Sequence, residues 1–369
     1  DEIRYSSAVQ VPGTNWDQIA TSGNSASAIK QDGTLWSWGK NVKGTFGIPS
    51  YADDALLSSP VQVTSAPAGL YEWVIARKDG NINNSNTLAV KTSGIMYTWG
   101  SNTYGQLGHN DRNDRDSPIE VPGGTMAQAN RNWSKEPHQF SINGMHNLAM
   151  RTDGTLWTWG YNGSGLLGLN QSPVGYWWNA NHYNRSSPTQ LTSTSDWKAC
   201  HAGFYGGLIL KTSGELYSWG NNTYGELGHN DRIVRSSPTQ IGSDTDWDKL
   251  LSQGYSGYYM AAIKTNGTLW NWGYNLWGQL GQNDVVTKSS PVQIPGTTWS
   301  HIMPGGNCAL AYKTDGTMWS WGYNTYGQLG LNDRIHKSSP TQVPGDWDSL
   351  LFEKSTNSRY GFSLITKEP

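Results

Sequence analysis

The sequence predicts an all-β protein, a seven-bladed β-propeller formed by residues 1–369 as a single domain. Three observations predict it. A phrase ending in Trp-Gly recurs at Trp38, Trp99, Trp159, Trp219, Trp272 and Trp321, at intervals of 61, 60, 60, 53 and 49 residues. Each phrase runs through a Gly-containing turn into alternating apolar and polar residues, as a hairpin does. No segment carries helical amphipathicity for more than two turns. A unit of about 50–60 residues with four strands is the size of one propeller blade, and radial repetition protects sheet edges.

Each unit opens on a Trp: Trp16, Trp73, Trp133, Trp197, Trp247, Trp299 and Trp347. An apolar run such as Leu208-Ile209-Leu210-Lys211 follows. Next come the turns Asp32-Gly33, Ser93-Gly94, Asp153-Gly154, Ser213-Gly214, Asn266-Gly267 and Asp315-Gly316. Gly tolerates positive φ there, and Asp or Asn bonds back to the backbone. The third strand alternates, as in Leu216-Tyr217-Ser218-Trp219, and the second residue after each Trp-Gly is Asn, a turn residue. A closing strand such as Ser338-Ser339-Pro340-Thr341-Gln342-Val343 completes the unit. The predicted blades are 16–63, 73–121, 133–191, 197–241, 247–294, 299–343, and 347–369 with 1–11. In the last, the N-terminal strand Tyr5–Val11 closes the ring against C-terminal strands, leaving that blade one strand short. Of the 20 Trp, 17 fall at repeated positions and are read as packing between blades.

Charged residues are 15% of the chain, against about 25% in an average domain, and the net charge is −2. That balance excludes a general nucleic-acid coat, which needs surplus Lys and Arg. No apolar run reaches the length of a membrane span. The chain begins Asp1-Glu2-Ile3 without an initiator Met, so a processed chain or a piece of a longer one is expected. Cys200 and Cys308 fall in different units and predict no disulfide; Cys200 replaces an aliphatic residue and should be buried.

The phrase Lys313-Thr-Asp-Gly-Thr-Met-Trp-Ser-Trp-Gly-Tyr-Asn-Thr-Tyr-Gly-Gln-Leu-Gly330 resembles the repeat of the regulator of chromosome condensation family. The resemblance covers essentially the whole chain and implies a seven-bladed propeller. It implies no single activity, because that family includes a guanine-nucleotide exchange factor, plant ultraviolet sensors, a bacterial β-lactamase inhibitor and phage proteins. The His that eukaryotic members carry before the apolar strand is matched only by His146, and the sensors' Gly-Trp-Arg-His-Thr motif is absent. The near-identical units with Ser-Ser-Pro-Thr-Gln-Val closings resemble bacterial and phage versions.

No metal-binding His/Cys spacing, nucleophile elbow or phosphate loop occurs in the sequence. The recurring Asn-Asp-Arg (110–112, 230–232, 332–334) offers either a ring of charge on one face that meets a partner or, as recurrence in register favours, an Asp bonding turn amides with its Arg solvated or paired to it. The recurring aromatics Tyr104, Tyr224, Trp277 and Tyr326 offer either an exposed ring for a glycan or protein or, the commoner fate of a repeated aromatic, packing between blades. Function is expected where the units differ. The largest irregularity, 170–185, offers Tyr176, Trp177, Trp178, His182, Tyr183 and Arg185 as a binding site, since such residues dominate hot spots and loops on rigid scaffolds carry binding. Two further irregular stretches are 125–143, with Met126, Arg131, Trp133, Lys135, His138 and Phe140, and 71–86, with Tyr71, Arg77, Lys78 and Asp79.

The sequence thus points to a non-enzymatic interaction or structural module without cofactor or metal. Its expected partner is protein or glycan, with no nucleic acid and no membrane insertion. The expected setting is a larger multi-subunit assembly such as a phage virion or a bacterial surface. The alternative is an exchange-factor-like regulator of a small GTPase.

Overall fold

A computed structural model of the chain describes residues 11–22, 25–65, 72–81, 84–122, 132–171, 183–250 and 258–345. These form 24 β-strands in six four-stranded antiparallel sheets, each built from four consecutive strands. The fourth sheet is typical: β13 (Trp197–Ala202), β14 (Gly206–Lys211), β15 (Leu216–Gly220) and β16 (Arg235–Gln240) lie side by side in chain order. The first strands of the other sheets are β1 (Trp16–Thr21), β5 (Trp73–Asn81), β9 (Phe140–Ile142), β17 (Trp247–Leu250) and β21 (Trp299–Pro304). From β5 onward each first strand packs against the first or second strand of the sheet before it, which is blade-on-blade stacking. Among the described residues there is no α-helix, and two short 3-10 turns lie at Pro137–Gln139 and Gly163–Gly165.

The described residues form six blades, not the expected seven. The segments expected to pair as the seventh, 1–11 and 347–369, lie outside the described residues except for Val11. The chain has six Trp-Gly phrases, and each of the six described sheets takes its third strand from one of them. The third blade also departs from the others. Its opening Trp133 makes an isolated bridge to Arg151, and its first strand begins only at Phe140, after Pro137 has interrupted the ladder.

The core lies between blades. In each unit the opening Trp sits edge-on or tilted against the later aromatics, as in Trp247 with Trp270 (6.1 Å) and Trp272 (6.4 Å). A cation caps the stack at the turn side: Lys264 lies 4.9 Å from the Trp247 ring centre and 5.1 Å from that of Trp270. The strand register shifts immediately after five opening residues, for instance between Trp247 and Lys249. The indoles of Trp99, Trp159, Trp219, Trp272 and Trp321 are fully buried.

The Gly of Trp-Gly is required by close approach. Gly220 has φ +113, and a Cβ there would meet the Tyr205 carbonyl oxygen at 2.4 Å. Cys200 and Cys308 are buried and form no disulfide with each other, and burial pushes the Cys308 thiol up to about 12 and that of Cys200 higher still.

Candidate functional site: a loop-built face

Consecutive antiparallel strands send the first-to-second and third-to-fourth connections of every blade to one side. The third-to-fourth loop is organised by the repeated Asn. Asn222 Oδ1 accepts from the Leu227 amide (3.0 Å), while its Nδ2 donates to the carbonyls of Asp231 (3.1 Å) and Ile233 (3.1 Å). Asp231 in turn accepts from the Ile233 amide (3.0 Å) and pairs with Arg235 (2.9 Å). The Asn-Asp-Arg carboxylate is therefore a turn former, held by its bonds to Arg235 and the Ile233 amide far below the usual range. Asn275 and Asn324 repeat the pattern.

The loops are sutured from blade to blade. The Asn170 amide donates to the Ser236 carbonyl (2.8 Å), Asn230 to Ser289 (2.7 Å) and Asn283 to Ser338 (2.7 Å). At Gly225, φ +76, a Cβ would meet Ser289 Cα at 2.5 Å, so the loop lies directly on the next blade. The recurring aromatics pack onto the following unit as expected. Tyr104 meets Tyr161 (5.0 Å), Tyr224 meets Tyr258 (4.9 Å) and Tyr274 (4.8 Å), and Trp277 meets Tyr323 (4.9 Å). Tyr326 has no described unit beyond it and is 71% exposed.

The third blade carries the insertion on this side. Asn162 Nδ2 donates to the Gln171 carbonyl as Asn222 Nδ2 does to that of Asp231, and Arg185 pairs across the sheet with Gly160 as Arg235 does with Gly220. Between Gln171 and Tyr183 the third blade thus holds 172–182, where the fourth blade has Arg232 alone. Tyr183 is 37% exposed, and Arg185 is bonded to Gln171. Tyr176, Trp177, Trp178 and His182 lie outside the described residues. Sequence reasoning missed Ile233, Val286 and Ile335, which stand exposed at the position of Tyr183 in the next three blades. Their signal was present, an apolar residue two positions after Asp231, Asp284 and Asp333, where Asp111 has Asn113, but recurrence made it look like packing.

Of the other two irregular stretches, 125–143 does not join this face, whereas 71–86 runs along β5 (Trp73–Asn81) into β6 (Asn84–Lys91), whose connection leaves on this side. The connection between β8 (Arg115–Glu120) and β9 leaves from the opposite side of the sheets. There Trp133 and Phe140 are core residues, and Lys135 and His138 are exposed; Met126, Arg131 and Tyr71 lie outside the described residues. Arg77 and Lys78, adjacent on β5, point apart as strand neighbours must. Lys78 Nζ reaches back to the Thr45 carbonyl (3.1 Å) in the first blade, and Arg77 Nη2 forward to the Pro137 carbonyl (3.2 Å) in the third. Burial lowers Lys78 to about 7 and Arg77 to about 10. Desolvation also lowers two fully buried imidazoles, His146 to about 4 and His201 to about 3, the latter helped by its neighbour His146. Among the described residues no three His, Cys, Asp or Glu side chains gather as a metal site.

Stacked four-stranded blades with a loop-built face on one side define a repeat propeller. The chain belongs to the family described as the regulator of chromosome condensation (RCC1) repeat, whose models match residues 79–106, 93–129, 153–208, 213–249, 266–312 and 315–349. It is 29% identical over 273 residues to the ultraviolet-B receptor UVR8 of Arabidopsis thaliana, covering 72% of this chain and 55% of the receptor. It is 30% identical over 283 residues to the human E3 ubiquitin-protein ligase HERC2, covering 75% of this chain and 5% of the ligase. The chain thus spans about half of one relative and a small part of the other. Among solved structures, human WBSCR16 superposes with a TM-score of 0.74 at 18% identity, covering 97% of this chain and 89% of that one. Yeast RCC1 (Prp20), in a structure bound to Kap60, superposes with a TM-score of 0.70 at 18% identity, covering 89% and 75%. These superpositions establish the fold.

Proposed function

We propose that the chain is a non-enzymatic protein-binding module that engages its partner through the face bearing the third-to-fourth loops. The observation that carries this reading is that Gln171 and Tyr183, which flank the 172–182 insertion in the chain, hold the loop positions of Asp231 and Ile233, and that Ile233, Val286 and Ile335 of the following blades are exposed. A repeated apolar exposure beside the largest irregularity of the chain is what an interaction face requires. Tyr176, Trp177, Trp178, His182, Tyr183 and Arg185 are its proposed contributors from the third blade. Protein is favoured over glycan because the related yeast propeller is described in complex with Kap60, and another structure of it is described with binding to Gsp1p and histones. Deleting 174–182 should abolish cross-linking to the native partner while thermal melting stays almost unchanged; retained cross-linking would remove the loop from the reading.

We further propose that residues 1–11 and 347–369 complete a seventh blade. In support, the Asn170, Asn230 and Asn283 amides each bond a Ser carbonyl at the start of the next closing strand, and Ser6-Ser7-Ala8-Val9-Gln10-Val11 matches that strand in sequence. Asn332 occupies the corresponding place in the sixth blade.

A place in a larger assembly, such as a phage virion or bacterial surface, remains a proposal resting on low charge and Asn, Ser and Thr content. Copurification with a stoichiometric complex tests it. The second reading, regulation of a small GTPase, is favoured by the description of Gsp1p binding for the yeast relative. Accelerated release of labelled guanine nucleotide from a small GTPase would support it, and unaltered release would end it.

A further inference from the structure

Four consecutive loops of the binding face carry one exposed apolar residue at the same structural position. Asn222, Asn275 and Asn324 each donate from Nδ2 to the carbonyls of Ile233 (3.1 Å), Val286 (3.1 Å) and Ile335 (3.2 Å). These side chains are 65%, 58% and 65% exposed. Tyr183 stands two residues before Arg185, as Ile233 stands two before Arg235. The sutures Asn170 to Ser236, Asn230 to Ser289 and Asn283 to Ser338 fasten each loop to the closing strand of the next blade, so the four residues recur at one position, an arc over the third to sixth blades. A fixed backbone beneath an apolar row lowers the ordering cost of binding an extended segment.

The charge on the arc has one sign. The loop carboxylates are neutralised inside their own blades: Asp231 by Arg235 (2.9 Å), Asp284 by Lys288 (2.8 Å) and Asp333 by Lys337 (2.8 Å). In the third blade Gln171 replaces the Asp, and Arg185 bonds that neutral amide. Arg232 and Arg334, next to Ile233 and Ile335, are exposed and have no ion pair among the described residues. Glu226, the one further acid of these loops, is buried. The connections 203–205 and 305–307 on the same side add no charge. The chain as a whole is acidic by two charges, so this positive arc runs against the balance of the molecule.

We infer that the arc Tyr183–Ile233–Val286–Ile335 is the receptor for an acidic protein segment carrying spaced apolar anchors, with Arg185, Arg232 and Arg334 meeting its carboxylates. This inference rests on the loop face being the binding face and adds the chemistry of what binds. Arginine beside an exposed aliphatic residue suits such a ligand, because its planar guanidinium engages a carboxylate in two bonds while the neighbour buries an apolar side chain.

The test is selection of a displayed random-peptide library on the immobilised full chain, with the selected peptides then measured by fluorescence anisotropy. Winning peptides should carry Asp or Glu flanking Leu, Ile, Phe or Trp. Their binding should weaken about tenfold or more in I233S/I335S and in R232E/R334E, and should weaken with added salt. All four positions are exposed, so both variants should melt within a few degrees of the parent. Neutral or basic winners, winners that bind both variants as tightly as the parent, or no winners at all would overturn the inference. An oligomer of the free chain that dissociates in I233S/I335S would assign the arc to a second copy and overturn it equally. Winners that ignore both variants but vanish on deletion of 174–182 would sink the arc and leave the binding face standing. Winners indifferent to all three changes would sink both.

Discussion

The indole N–H of Trp272 donates a 2.9 Å hydrogen bond to the backbone carbonyl of Glu226, in the loop of the preceding blade. The same clasp joins Trp99 to Thr45 (3.1 Å), Trp159 to Gln106 (2.9 Å), Trp219 to Leu166 (2.8 Å) and Trp321 to Gln279 (2.8 Å). Trp serves because it combines a large buried apolar body with one donor at its edge. Neighbouring blades are thereby held by both packing and a directional bond, and the loops of the binding face are fixed from beneath.

The clasp can be separated into its two parts at Trp219. Trp219→Ala should destabilise by about 3–5 kcal/mol through the cavity it leaves. Trp219→Phe should cost about 1–3 kcal/mol, because much of the packing survives and a buried carbonyl loses its donor. Denaturant midpoints of the two variants decide it; a neutral Phe variant would mean that the hydrogen bond contributes nothing.

Glu226 takes a place that is Gln106, Gln279 and Gln328 in other blades. Gln106 Nε2 donates to the Gly144 carbonyl of the next blade (3.2 Å), whereas Glu226 Oε1 is buried with no partner among the described residues. Burial raises the Glu226 carboxyl to about 7 from its ordinary 4.5. The folded state therefore holds a proton that the unfolded chain releases, and this contribution is complete below pH 4.5 and lost as pH rises through 7. Glu226→Gln should change stability little at pH 4 and raise it by up to about 3 kcal/mol at pH 8. A gain independent of pH would refute ionisation of the buried carboxyl as its cause.

The buried histidines act in the opposite sense. His146 presents both ring nitrogens to the interior without a hydrogen bond among the described residues, and its pKa falls to about 4 while that of His201 falls to about 3, from 6.5. The unfolded chain binds these protons first, so stability is fully present above pH 6.5 and declines as pH falls through 4. His146→Leu should flatten the acid limb of a stability–pH curve by close to one proton and be nearly neutral at pH 7.5, since no hydrogen bond is broken. An unchanged acid slope would show that His146 does not titrate on unfolding.

Removing residues 1–10 tests the proposed closure. If they supply the outer strand of a seventh blade, the deletion should lower Tm by more than about 5 °C and speed proteolysis of the sixth blade. A truncated chain that melts like the parent would contradict closure by the N-terminus.

The strand pattern of each blade was legible in the sequence because its causes are local. Asp315 and Gly316 form the hairpin turn, with Asp315 accepting from the Thr317 amide (3.0 Å), and Trp-Gly sets the third strand. Burial of Trp219 and the turn role of Asp231 could be read in the same way, because repetition averages away everything except packing. What the sequence could not assign was exposure and side. Ile233 looks like a core residue until its loop is seen bound by Asn222 and laid on the next blade, which turns the side chain to solvent. Likewise the 125–143 and 170–185 irregularities look alike along the chain, yet strand direction sends them to opposite sides of the sheets. Contacts between units some 50 residues apart, such as Trp272 with Glu226, decide those matters, and no local pattern encodes them.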